Sequence, residues 1–231
     1  MNTADAALLD NAVWSALTTV HEPFADGSGL ALRYRPDVSV FAAVERQTPA
    51  AFAALADLAG PGRGTVLFSA ADTMLPDGWS EMGGGRGHQM VLTGELPVLA
   101  ETPSIRLLTI EDVPAMMELV ALAQPGPFAQ RTFELGGYVG IFHDARLVAM
   151  AGQRISVPGY TEISAVCTHP DARRLGYAAT VTAAVARNLL ERGVTPILHV
   201  ADVNVNALRV YERLGFTTRR LVNFTALRTP T

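Results

Sequence analysis

Between Glu162 and Ala179 the sequence gathers residues suited to holding an anion. A strand reads to Thr168, and the loop His169-Pro170-Asp171-Ala172-Arg173-Arg174 leads into a helix that opens near Leu175 and Gly176. A helix start presents unpaired N–H groups and partial positive charge, which suits a phosphate. Gly176 lets a pyrophosphate approach the backbone with no side chain in the way. Arg173 and Arg174 add charge. The alternative is an ordinary strand–loop–helix connection with solvated arginines.

Other reactive side chains read as structural. The chain has one cysteine, Cys167, so no intramolecular disulfide or cysteine-rich metal site can form. Cys167 itself reads as a small buried strand residue rather than as the nucleophile of a ping-pong route. Five scattered histidines make no metal site; His143 and His199 read as structural and His169 as a solvated turn residue. Gly83-Gly84-Gly85-Arg86-Gly87 lacks the lysine and hydroxyl of a nucleotide-binding P-loop and reads as a flexible connection.

The elements that must position these residues are easiest to see in the second half. Ser104–Leu108 reads as a strand, and Thr109 caps a helix to about Leu122. Tyr138–His143 and Arg146–Ser156 form a hairpin, and Tyr160–Thr168 is the next strand. A helix from about Leu175 to Glu191 turns Ala178, Val181, Ala184, Val185 and Leu189 inward. Ile197–Val200 is a strand, Asn206–Leu214 a helix and Phe216–Leu227 a closing strand. In the first half, residues 4–20 read as one helix. Leu30–Tyr34, Thr65–Ser69 and Gln89–Leu92 read as strands, and Thr48 with Pro49 starts a helix to about Ala59. The order implies an α/β fold with a mixed sheet. Residues 1–97 make an N-terminal α/β domain, 98–103 a linker, and 104–231 the domain that carries the chemistry.

The bulk numbers bound the function. Hydrophobic residues are 49% of 231 and charged residues 17%, enough for a substantial core. A net charge of −4 argues against nucleic acid as a partner. With no apolar run long enough for a membrane span and no signal-like start, a cytoplasmic protein is expected.

Arg173-Arg174-Leu175-Gly176-Tyr177-Ala178 resembles the Arg/Gln-x-x-Gly-x-Gly/Ala loop of the GNAT (GCN5-related N-acetyltransferase) superfamily. Asn204-x-x-Ala207-x-x-x-Tyr211-x-x-Leu214-Gly215-Phe216 resembles its second cofactor-side signature, in the right order and at a fitting separation. The preceding strand exit Val166-Cys167-Thr168-His169-Pro170, and Ile105–Thr109 with the helix after it, also look like that superfamily, so the likeness covers about Ser104 to Leu227. Arg192-Gly193-Val194-Thr195-Pro196 looks closest to the glycine N-acyltransferase-like branch. Ala178 stands where many members have glycine.

The resemblance implies a mixed sheet splayed between the strand ending at Thr168 and the strand Ile197–Val200, with acetyl-CoA in the V. The pantetheine arm would pair with backbone of Val166, Cys167 and Thr168. The pyrophosphate would rest on the amides of Arg174, Leu175, Gly176, Tyr177 and Ala178, beside Arg173, with Asn204 on the other side. Tyr211 would be the acid that protonates the leaving thiolate; the alternative is an inner-face aromatic beside Ala207 and Leu214. Glu162, alternating with Ser164, Val166 and Thr168, would be the base; the alternative is an exposed strand residue. Phe128, Arg131, Glu134 and Gln153 are the expected acceptor contacts, with solvated charges and a packing aromatic as their alternatives. The implied reaction is direct acetyl transfer to a primary amine of a small molecule or amino acid. The alternatives are an acyl-CoA-binding sensor without turnover and an acetylase of protein lysines or N-termini. No metal and no membrane are expected, and a homodimer is left open. The first half is expected to be a degenerate copy of the same fold that binds no CoA and walls the acceptor cleft.

Overall fold

The computed structural model describes residues 3–70, 72–99 and 103–231. Two short helices come first, α1 (Thr3–Asp10) and α2 (Ala12–Leu17). They replace the single helix expected over 4–20. The break falls at Asn11, whose carboxamide donates 2.9 Å to the Val44 carbonyl. Next come β1 (Ala25–Ser28), β2 (Ala31–Tyr34), β3 (Phe41–Val44), α3 (Pro49–Ala59), β4 (Gly64–Ser69) and β5 (Ser80–Leu92). The start of α3 is the one its residues dictate: Thr48 Oγ1 accepts from the Ala51 N–H at 3.2 Å, and Pro49 fills the first helical position.

The second half runs β6 (Ile105–Leu107), α4 (Val113–Ala123), β7 (Val139–His143), β8 (Arg146–Val157), β9 (Tyr160–Thr168), α5 (Tyr177–Glu191), β10 (Thr195–Ala201), α6 (Val205–Arg213) and β11 (Phe216–Arg228). Thr109 and Asp112 form a capping box on the short turn that leads into α4.

All eleven described strands join one sheet, in the order β1-β2-β3-β4-β11-β5-β10-β9-β8-β7-β6. The expected division at 98–103 therefore does not separate two sheets; within that stretch, residues 100–102 lie outside the described residues. Each half contains an antiparallel run that ends in a parallel pair, β3 with β4 and β9 with β10. A helix crosses over each pair, α3 in the first half and α5 in the second. Each half then gives up its last strand. β5 lies between β10 and β11, and β11 lies between β4 and β5. The topology of the second half is thus repeated in the first, with the final strands exchanged.

This exchange corrects the reading of the glycine run. Gly83–Gly87 is not a flexible connection but part of β5, paired antiparallel with Ala226–Val222 of β11. Two of the glycines, Gly84 and Gly87, are required by close approach. A Cβ on Gly87 would lie 2.5 Å from the Val200 carbonyl oxygen and nearer still to the Phe224 ring. A Cβ on Gly84 would overlap the Phe224 carbonyl.

The sheet curls. Leu32, Tyr34, Phe41 and Ala43 from the first half share one buried cluster with Ile155, Val157, Tyr160 and Ile197 from the second, and Val13, Ala16 and Leu17 of α2 fill the space between. The outer face of the second half is covered by α5 and α6, with Val181, Val185, Leu189 and Leu214 in its core.

Candidate active site

The cleft opens where two parallel strands stop pairing. β9 and β10 are in register only at Tyr160–Thr195, Thr161–Pro196 and Glu162–Ile197. Beyond that point β9 runs on to Thr168 and β10 to Ala201 without pairing to each other. Between the diverging ends lies a cleft of about 440 Å³. Ile163 to Thr168 form one wall, and His199 to Ala201, Asn204, Ala207 and Tyr211 the other. Gln124-Pro125-Gly126, in the loop after α4, also lines it. Of the sequence-derived cofactor residues, Val166, Cys167, Thr168, Arg173, Ala178 and Asn204 line this cleft.

The expected alternation along β9 fails at one residue. Ala165 has φ 52, and the register with β8 slips between Gly152–Ser164 and Met150–Cys167. One extra residue in β9 makes a bulge. Ile163 and Val166 consequently pack on the α5 side, while Ala165 and Cys167 pack on the α4 side. Glu162 and Val166 do not share a face.

The turn into α5 is open and presents donors. Gly176 is the N-cap residue, with φ 81 and no side-chain cap. Arg173, Arg174, Leu175 and Gly176 are exposed, and a Cβ on Gly176 would meet no atom within 4 Å. The amides of Arg174, Leu175 and Gly176 donate to no described backbone carbonyl, and the first bond of the helix is Thr180 N–H to Gly176 at 3.1 Å. The amides of Tyr177, Ala178 and Ala179 are unpaired by helix geometry. The Tyr177 hydroxyl itself turns away, to His143 Nε2 at 2.7 Å. Asn204 caps α6 by accepting from the Ala207 N–H at 3.2 Å.

Tyr211 is buried in the cleft wall, edge-on to Phe216. Burial holds its phenol above the ordinary value, so it keeps its proton at neutral pH. Its hydroxyl has no hydrogen-bond partner among the described residues. Burial also pushes the Cys167 thiol up to about 12, which removes it as a nucleophile at neutral pH.

Glu162 requires the main correction. It is neither exposed nor free to take a proton. Its side chain is 0% accessible, and both oxygens are occupied. Arg154 Nε donates to Oε2 at 2.9 Å and Arg154 Nη2 to Oε1 at 2.6 Å, while His199 Nδ1 lies 2.8 Å from Oε1. Burial alone would raise its pKa, but the Arg154 guanidinium and then His199 outweigh burial and hold it at about 2. A carboxylate so held is a counter-ion, not a base.

Arg154 and His199 are the residues that sequence reasoning missed. Arg154 lines the cleft, with its guanidinium 4.7 Å from the Phe41 ring centre and 5.9 Å from that of Phe68. Its Nη1 has no partner among the described residues. Phe68 also meets His199 edge-on at 5.2 Å. The first half thus packs two aromatic rings against the Arg154 guanidinium. A signal was available: Arg154 interrupts the apolar run of β8, and Glu162 follows just across the Pro158-Gly159 turn. A buried arginine needs such a partner.

The expected acceptor contacts lie elsewhere. Phe128 packs edge-on against Tyr138, with ring centres 5.8 Å apart. Arg131 is paired with Asp37 at 2.9 Å and with Glu134 at 2.6 Å. Gln153 is buried beside Gly136 and Gly137. None of the four lines the cleft. No group of three or more described His, Cys, Asp or Glu residues could hold a metal.

Comparison with known proteins agrees with this architecture. The FR47-like protein family model matches residues 138–224, which span the cleft. A GNAT-family protein of Novosphingobium aromaticivorans is 35% identical, with 96% of this chain and 99% of that one covered and a TM-score of 0.88. A GCN5-related N-acetyltransferase of Kribbella flavida shares the fold at 20% identity and TM-score 0.63, covering 98% and 94% of the two chains. No curated protein matches. The fold is that of acetyltransferase structures, and the chain belongs to the GNAT acetyltransferase family.

Proposed function

We propose that this protein is an acetyl-CoA-dependent N-acetyltransferase that acetylates a primary amine of a small molecule by direct transfer. The observation that carries the reading is the open V between β9 and β10, which ends in a turn of unpaired amides around Gly176. Acetyl-CoA would bring an activated acyl thioester. The amides of Arg174 to Ala178, with Arg173, would hold its pyrophosphate. Val166, Cys167 and Thr168 offer strand-edge backbone to the pantetheine arm.

The bulge at Ala165 interrupts the ladder with β8, and a backbone N–H near Val166 or Cys167 would serve the developing oxyanion. As the amine nitrogen forms its bond to the acyl carbon and the carbon–sulfur bond breaks, the Tyr211 hydroxyl gives its proton to the departing sulfur. The nitrogen's surplus proton goes to solvent, and Tyr211 regains a proton from there.

The cleft has no acidic lining. Among the described lining residues none is Asp or Glu, whereas Arg154 and Arg173 are cationic. With Arg154 paired to Glu162 and Arg173 assigned to the pyrophosphate, the described lining offers an ammonium group no counter-ion and so favours a neutral amine. A basic peptide or a polyamine is therefore a poor acceptor.

The test is release of free thiol from acetyl-CoA in the presence of an amine panel, with calorimetry for CoA. Turnover with small neutral amines and none with spermidine is the expected result. Tight CoA binding without turnover on any acceptor would favour a sensor, and no CoA binding would overturn the assignment.

A further inference from the structure

The polar contacts behind Arg154 continue onto the two exchanged strands. Gln89 on β5 is buried and stands opposite His199 in the ladder. Its Nε2 donates to the Leu9 carbonyl at 2.9 Å and lies 3.1 Å from His199 Nε2. Its Oε1 accepts from Arg219 Nη1 at 2.7 Å. Arg219, on β11, in turn donates through Nη2 to Asp10 at 2.6 Å.

Chemistry sets the direction of every bond in this series. A guanidinium offers only donors and a carbonyl only acceptors. Arg219 and the Leu9 carbonyl therefore fix which end of the Gln89 amide is oxygen. The NH2 end faces His199 Nε2, which must accept. The ring proton then sits on Nδ1 and points at Glu162 Oε1. With that donor and both Arg154 bonds in place, Glu162 holds the guanidinium with Nη1 left for the cleft.

We propose that Gln89 and Arg219 are positioning residues for the acceptor pocket. They hold His199 in the Nδ1–H form, so that Glu162 clamps Arg154 in its cleft-facing orientation. Neither residue lines the cleft. The groups that face the His199 ring are Glu162 from β9, Gln89 from β5, and the Phe68 and Phe224 rings from β4 and β11. The kinetic part rests on the acetyltransferase reading; the tautomer does not.

The test is nitrogen NMR of protein labelled at histidine, with His199 assigned by its loss in His199→Asn. The native protein should show Nδ1 protonated and Nε2 bare. In Gln89→Glu both ring nitrogens should carry protons, and the acceptor KM should rise about tenfold, the scale of one hydrogen bond to a charged group. The CoA Kd should not move. Arg219→Lys keeps a donor to Gln89 and should keep the native tautomer, whereas Arg219→Met should give a mixture. A native spectrum with Nε2 protonated overturns the proposal, as does native acceptor KM in Gln89→Glu. Should Gln89→Glu fail to fold, the native spectrum and the two Arg219 variants decide. If the native protein binds no CoA, the acetyltransferase reading falls and the spectra still decide the tautomer.

Discussion

Replacing Tyr211 by phenylalanine removes one hydroxyl from the cleft and leaves the packing against Phe216 in place. We expect Tyr211→Phe to lower kcat by roughly 10²-fold or more while the CoA Kd stays nearly unchanged. Steady-state kinetics with calorimetry measures both, and an unchanged kcat removes Tyr211 from the mechanism. Glu162→Gln should act on stability instead. It leaves the Arg154 charge buried without its counter-ion, a change that costs about 3–5 kcal/mol. The acid dependence has a definite sign. Glu162 is held at about 2 against an ordinary 4.5, so its contribution is complete above 4.5 and is lost as pH falls toward 2. Melting temperature in the wild type should therefore drop across that window more steeply than in Glu162→Gln. Parallel melts between pH 2 and 6 decide this, and equal slopes would refute it. At this scale the sequence was informative about open main-chain groups and poor about side-chain surroundings. The open turn into α5 is foreshadowed by Gly176. Whether a strand carboxylate is free depends on what lies across the sheet, and Arg154 becomes visible as the partner of Glu162 only once β8 and β9 are paired.

The turn into α5 and the strand β5 carry the element-scale predictions. Gly176→Val adds a branched side chain where φ is 81 and the backbone amides are open. CoA affinity should fall at least tenfold, as the loss of one or two charge-assisted bonds implies. Gly85→Ala serves as a control, because a Cβ there meets nothing within 4 Å. CoA affinity in Gly176→Val equal to wild type would count against the loop assignment. Gly87→Ala should destabilise by about 1–3 kcal/mol through overpacking, read from denaturant unfolding. An unaltered midpoint would mean that Phe224 and the Val200 backbone can yield. The helices and long strands of the second half were legible because their periodicity and caps are local. β1 and β3 were not: Ala25–Ser28 is mostly polar and Phe41–Val44 too short to show a period. The bulge at Ala165 was invisible for a related reason, since one inserted residue changes no composition. Gly83–Gly87 misled because glycine usually marks a loop, and here Gly84 and Gly87 permit close approach within a paired strand.

Across the whole molecule, the repeated topology supplies a second V between β3 and β4, and that V holds a smaller cavity, about 200 Å³ against about 440 Å³, crossed by side chains. Those strands pair only at Phe41–Val66 and Ala42–Leu67 before they part. Gln47 then bridges to Ser69 Oγ at 2.6 Å, and Asn11 takes the Val44 carbonyl. Pro49 removes a donor at the helix start, and no glycine stands there. Calorimetry should accordingly give one CoA per chain; a stoichiometry of two would show that the first half also binds it. The repetition is what a degenerate copy of the same fold would leave, a relation that the residues alone did not display.

Exchange of the terminal strands also governs how such a chain can be made. During synthesis β4 emerges well before β11, the strand that pairs with its free edge in the sheet. Nascent β4 must therefore wait with one edge exposed while more than a hundred residues are added. Closure of the first half is thus tied to a strand of the second, and a chain without β11 would leave β4 and β5 each with an open edge.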